Sequence, residues 1–273
     1  MSESSATVSR PRFFYTEPEW IDVGDVRVAY RRRGAGEPTI FLHGAGGTRM
    51  WLPFYEQMAA SVDFIAPEHP GFGETEAPEW RMGFDDLVLH YRDFADALGL
   101  ERFHLVGFSV GGWIAAELAI FYPRRLESLT LITPAGLYVP GKPLVDLFAM
   151  PPERIAACLF SGREAEYLDY LPDGTNLDDI VHAYGEMISF ASLTWAPHHD
   201  PKLPRRLARL QVPTLVVGAE DDWIVPNEHV DRYAELVPEA RSLRIPGTGH
   251  GLIMQEPERT AAEIVSFIQG SAR

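Results

Sequence analysis

At 273 residues the chain is long enough to bury one large α/β core plus an insertion, and it needs no disulfide or metal staple to do so. It is 46% apolar and 23% charged, and no apolar run approaches the roughly 18 residues of a membrane span. A net charge of −15 repels phosphate backbones and anionic lipid surfaces, so neither nucleic acid nor a membrane is expected as a partner, and the single cysteine, Cys158, excludes an internal disulfide and a thiolate metal cluster.

In chain order, the opening MSESSATVSRPR has no apolar stretch after its basic residues, so it reads neither as a secretory signal nor as a transit peptide, and a cytoplasmic protein is expected. Trp20-Ile21, the Gly24-Asp25 turn signal and the alternation of Val26, Val28 and Tyr30 predict an antiparallel hairpin. Arg31, Arg32 and Arg33 are read as its solvated end, a local exception to the acidic average. Short, continuous apolar runs then predict strands buried on both faces: Thr39 to Leu42, Asp63 to Ala66, Phe103 to Val106, Leu129 to Ile132, Thr214 to Val217 and Ser242 to Ile245. Between them, helical spacing runs over Leu87 to Leu98, Trp113 to Phe121 and Glu258 to Phe267, the last with Pro257 at its start. Strand and helix alternate, which predicts a mostly parallel sheet with helices on both faces. The alternation stops between about Pro140 and Pro204, where helix-like pieces at Glu153 to Phe160 and Leu177 to Leu193 stand among prolines, and this stretch is read as a helical insertion.

Four segments carry chemistry. Gly107-Phe108-Ser109-Val110-Gly111-Gly112 follows one predicted strand and opens a helix. A serine on so sharp a turn is presented above the sheet edge, small neighbours avoid clashes, and the helix N-terminus beneath it favours developing negative charge. His43-Gly44-Ala45-Gly46-Gly47 follows the strand Thr39 to Leu42. Gly218-Ala219-Glu220-Asp221-Asp222-Trp223-Ile224-Val225-Pro226 follows Thr214 to Val217, and Gly247-Thr248-Gly249-His250-Gly251 follows the last strand. Pro70-Gly71-Phe72-Gly73-Glu74-Thr75 adds a fifth, chemically silent segment.

Taken together, in this order and each after its own strand, these segments resemble the α/β-hydrolase superfamily, over about residues 20 to 138 and 205 to 270. The resemblance implies a core domain of residues 1–138 and 205–273, interrupted by a helical cap at 139–204. It implies Ser109 as nucleophile, His250 as general base and Asp222 as the acid that orients it, with Asp221 as the fallback and Glu220 third. The backbone N–H groups of Ala45 and Val110 would form the oxyanion hole, with His43 a hydrogen-bonding support under the loop. Gly44, Phe108 and Trp223 border the expected site. Phe148, Met150, Leu159, Phe160, Met187, Phe190 and Trp195 of the insertion are candidates for an apolar pocket or for the cap's own core.

No cofactor or metal is required, the partner is a small-molecule substrate, and homodimer formation is left open. The leading expectation is a serine esterase or lactonase for apolar substrates. The first rival is a carbon–carbon bond hydrolase of vinylogous diketones, whose family members typically carry a tryptophan where Gly251 stands. A cofactor-free perhydrolase activity and a non-catalytic ligand receptor on the same fold are the others. The serine itself argues against the branches that use an aspartate nucleophile.

Overall fold

The computed structural model describes residues 14–80, 82–172, 174–195 and 198–271. The polar opening segment read above lies outside the described residues. One eight-stranded sheet has the order β1-β2-β4-β3-β5-β6-β7-β8. Its strands are β1 (Glu19–Val23), β2 (Val26–Arg33), β3 (Pro38–Leu42), β4 (Asp63–Pro67), β5 (Phe103–Phe108), β6 (Leu126–Ile132), β7 (Thr214–Ala219) and β8 (Arg241–Ile245). The hairpin β1–β2 and the β2–β4 pair are antiparallel, and the pairs from β4 through β8 are parallel.

The continuous apolar runs have a direct physical meaning here. Successive strand residues point to opposite faces, and both faces are covered from β3 through β7; the run Ser242 to Ile245 departs from expectation, because β8 is an edge strand in which only Ile245 is buried. Ile40, Leu42, Ile65, Leu105, Leu131 and Val216 enter one core. That core is closed by α2 (Phe84–Ala97), α3 (Val110–Phe121), α6 (Leu203–Leu207) and α7 (Asn227–Leu236). Phe41, Phe64, Val106, Ile132 and Leu215 enter the other, against α1 (Pro53–Ala59), α8 (Leu252–Gln255) and α9 (Pro257–Ser271).

Between β6 and β7 the described residues form no strand. The segment carries α4 (Pro152–Leu159), α5 (Leu177–Thr194) and three short 3-10 turns before α6. One feature of the hairpin departs from expectation. Arg31 is only 3% exposed, with Nη1 donating to Glu68 Oε1 at 2.6 Å and Nη2 to Glu74 Oε2 at 3.0 Å, and Arg32 makes a two-pronged contact with Asp63. The reading as a solvated strand end fails for Arg31 and holds for Arg33, which is exposed: β4 and the loop after it bring carboxylates over β2, which makes Arg31 a paired, buried cation.

Candidate active site

Ser109 is the single residue between β5 and α3, and it turns the chain with φ 56° and ψ −118°. That conformation is costly for a residue with a side chain and survives only where its surroundings impose it. They do so here: Ser109 N–H donates to Ile132 O at 2.9 Å, and its carbonyl accepts from Gly112 N–H at 3.0 Å and Ala135 N–H at 3.1 Å. Space explains the flanking glycines. A Cβ on Gly107 would stand 2.4 Å from Gly111 O, and one on Gly111 2.2 Å from Leu42 O.

His250, on the turn after β8, places Nε2 3.0 Å from Ser109 Oγ and Nδ1 2.8 Å from Asp222 Oδ2. With Nδ1–H donating to the carboxylate, the Nε2 lone pair faces the serine proton. The side chains of His250 and Asp222 are 4% and 1% exposed. Asp222 Oδ1 accepts from the N–H groups of Ile224 and Val225, each at 2.8 Å, which fixes its rotation. The two other carboxylates of this loop are occupied elsewhere. Glu220 Oε2 accepts from Gly247 N–H at 2.6 Å, and Asp221 Oδ1 from Trp223 Nε1–H at 2.9 Å.

The glycine-rich loop after β3 lies against the serine: a Cβ on Gly44 would stand 3.3 Å from Ser109 Cβ and 3.1 Å from Phe108 Cδ1. Among the described residues, neither Ala45 N–H nor Val110 N–H finds an acceptor, the latter because it belongs to the first turn of α3. Two backbone donors, one on the loop after β3 and one in the first turn of α3, are thus free beside Ser109. From below, His43 Nε2 accepts from His69 N–H at 2.9 Å while Nδ1–H donates to Gly44 O at 2.7 Å. Burial pushes the His43 pKa down to about 4, so this support is neutral and keeps one tautomer.

A cleft of about 50 Å³ opens on Ser109, Val110, Trp113 and Ala135, roofed by residues 144–148, Phe190, Thr194 and His198 and walled by Ile224 and Val225. Of the apolar residues expected to line a pocket, Phe148 and Phe190 do so, with ring centroids 5.1 Å apart. Phe108 sits beside His250, 5.1 Å ring to ring. Met187 is half-buried on α5 and does not line the cleft. Trp195 is 65% exposed and packs on Phe148 from outside, and Trp223, 41% exposed, is turned away to Asp221. Met150 and Leu159 pack with Cys158, Ile224 and Val225, and Phe160 is fully buried under the histidine loop.

Two features escape the sequence. Residues 144–148 reach the cleft because Val145 N–H donates to Ile224 O at 3.1 Å, joining the insertion to the loop after β7. Glu186 of α5 accepts from Gly47 N–H at 3.0 Å and Thr48 N–H at 3.3 Å. A lone glutamate in a helix carries no local signal of such a role, although its i, i+4 spacing from His182 on the inward side of α5 is a weak one.

The model of the alpha/beta hydrolase fold family matches residues 37–257. The 2-hydroxy-6-oxo-6-phenylhexa-2,4-dienoate hydrolase of Comamonas testosteroni is 31% identical over 76% of this chain and 79% of its own. The poly(3-hydroxyalkanoate) depolymerase of Ectopseudomonas oleovorans is 28% identical over 85% of this chain and 84% of its own. Among solved structures, a meta-cleavage product hydrolase from Pseudomonas fluorescens IP01 superposes with a TM-score of 0.80 at 23% identity, over 93% of this chain and 98% of that one. Strand order, the serine turn and the sequence likeness converge, and this chain belongs to the alpha/beta hydrolase fold family.

Proposed function

We propose that the protein is a serine hydrolase that cleaves uncharged carboxylic esters or lactones with apolar substituents through an acyl-enzyme on Ser109. The observation that carries this reading is the chain of contacts from Ser109 Oγ through His250 to Asp222, at 3.0 Å and 2.8 Å. In the cycle, His250 Nε2 takes the proton as Ser109 Oγ bonds to the substrate carbonyl carbon, and Asp222 stabilises the imidazolium. The N–H groups of Ala45 and Val110 receive the oxyanion. Collapse of the tetrahedral species breaks the bond to the leaving alkoxide, which takes the proton from His250. Water, deprotonated by His250, then attacks the acyl-enzyme, and the proton returns to Ser109 as the acid leaves.

Charge supports an uncharged substrate. The residues bordering the cleft include no Lys or Arg, and Asp146 is among them. Beside Asp146, in a chain of net charge −15, a substrate carboxylate meets repulsion and no counter-ion. Names of relatives favour a second reading, the hydrolysis of dienoate carbon–carbon bonds. Those substrates are carboxylates, which is the charge this cleft disfavours. The deciding assay sets a series of p-nitrophenyl esters of increasing acyl length beside a 2-hydroxy-6-oxo-6-phenylhexa-2,4-dienoate. Higher kcat/KM on the esters is expected, and faster turnover of the dienoate would replace the ester reading with the second.

A further inference from the structure

An oxyanion hole works only if its donors are held in place before charge develops, and the loop His43-Gly44-Ala45-Gly46-Gly47 is built from residues that restrain the backbone least. Its first half is fixed from below by His43. Its second half is fixed by a group from a distant part of the chain. Gly47 N–H donates to Glu186 Oε2 at 3.0 Å, while Thr48 donates to Glu186 Oε1 through its N–H at 3.3 Å and its hydroxyl at 2.5 Å. The loop is pressed onto this carboxylate so closely that a Cβ on Gly46 would stand 2.9 Å from Glu186 Oε2.

Glu186 itself is buried, and His182, one turn earlier on α5, lies 3.1 Å from its Oε1. Burial alone pushes the Glu186 carboxyl up. His182, Thr48 and Gly47 outweigh that and hold it below the ordinary carboxylate range. The anion is therefore satisfied by four donors, the N–H groups of Gly47 and Thr48, the Thr48 hydroxyl and the His182 ring. One turn further along α5, Ser189 Oγ–H donates to Gly71 O, so the helix is seated on the loop after β4 as well.

We propose that Glu186 is a positioning residue for acyl transfer: its carboxylate fixes the backbone of Gly47 and Thr48 and so holds Ala45 N–H in the oxyanion hole, which is complete only when α5 is seated on the core. This rests on the serine-hydrolase reading above. The helical insertion then does more than roof the cleft, since one of its side chains sets the geometry of a catalytic loop. Substrate binding draws on the cleft walls and not on Glu186, so loss of the carboxylate should appear in kcat rather than KM.

The test compares wild type, Glu186→Ala, Glu186→Gln and Thr48→Ala. Turnover of a p-nitrophenyl ester is normalised to active sites titrated with a fluorophosphonate, and melting temperature is measured beside it. A trifluoromethyl ketone, which forms a tetrahedral adduct on the serine, reports on the oxyanion hole. Glu186→Ala is expected to lower kcat per titrated site roughly 10- to 100-fold, below the full loss of one oxyanion donor, with KM changed less than about threefold. Ketone affinity falls in parallel with kcat/KM. Glu186→Gln, which keeps the shape and one acceptor, and Thr48→Ala, which removes one donor, fall between Ala and wild type. A lower melting temperature with unchanged kcat per titrated site would overturn the assignment and leave Glu186 a structural tie. Absence of wild-type ester turnover and of ketone binding would overturn the serine-hydrolase reading, and this assignment with it.

Discussion

Asp221 and Asp222 are adjacent and chemically equivalent in sequence, and the backbone alone separates their fates. Asp221 N–H donates to Thr248 O at 2.9 Å, and its side chain faces the exposed Trp223 indole. Asp222, one residue on, turns inward to His250 Nδ1. The consequence is testable. Asp222→Asn presents an amide that cannot stabilise the imidazolium and favours the wrong tautomer, so kcat should fall by about 10⁴-fold. Asp221→Asn should stay within about threefold of wild type, because it loses only an exposed contact. The reverse result in steady-state kinetics would move the acid to Asp221. At this scale the serine and histidine are legible in sequence because each stands on a glycine-flanked turn after its own strand. The carboxylate that meets His250 is legible only as a choice among three, since which one points inward is a matter of turn geometry.

At the scale of elements, legibility followed burial. The strands from β3 through β7 read as apolar runs because both of their faces are covered, whereas α7 is largely polar and fully buries just His229, Val230 and Tyr233, with Ala234 and Leu236 packed partly buried beside them. Helix α1 is short and starts at Pro53, and α8 has four residues. None of these three gave a periodic signal long enough to read. Within the insertion, α4 and α5 were legible, but their seating was not, because it rests on side chains such as Glu186 meeting loops more than a hundred positions away. The cleft follows from that seating. Phe148 from the 144–148 segment and Phe190 from α5 pack against one another in its roof. Replacing either by Ala should lower kcat/KM for long-chain esters roughly tenfold, with little change for an acetyl ester. Because the two rings touch, the double variant should lose less than the sum of the single losses. Equal losses at every acyl length would mean that these rings support the fold rather than bind the acyl group.

At the scale of the whole molecule, charge is arranged so that stability depends on pH. Burial pushes His43 and His90 from the ordinary 6.5 down to about 4 and His69 well below 6.5, and it lowers His104 and His229 as well. A histidine lowered in the folded state stays neutral there while the unfolded chain takes up a proton, so its contribution is intact above about pH 6.5 and is lost as pH falls toward 4. Burial raises Glu68, and it raises Glu117 up to about 7; these two work in the opposite direction. Five groups outweigh two. The midpoint of urea unfolding should therefore fall steadily between pH 6.5 and pH 4.5, with a slope on the order of 1.4 kcal/mol per pH unit for each net proton. A midpoint that is flat or rises across this window would contradict the burial pattern of these histidines.

The central claim is that Ser109 is an activated nucleophile in this fold, and the most direct measurement is labelling by a fluorophosphonate probe with peptide mapping, on wild type and Ser109→Ala. The account predicts a single modification on the peptide containing Ser109, stoichiometric in wild type and absent in Ser109→Ala, with ester turnover lost in the same variant. Undiminished labelling and turnover in Ser109→Ala, or an intact wild-type protein that the probe never modifies, would contradict it.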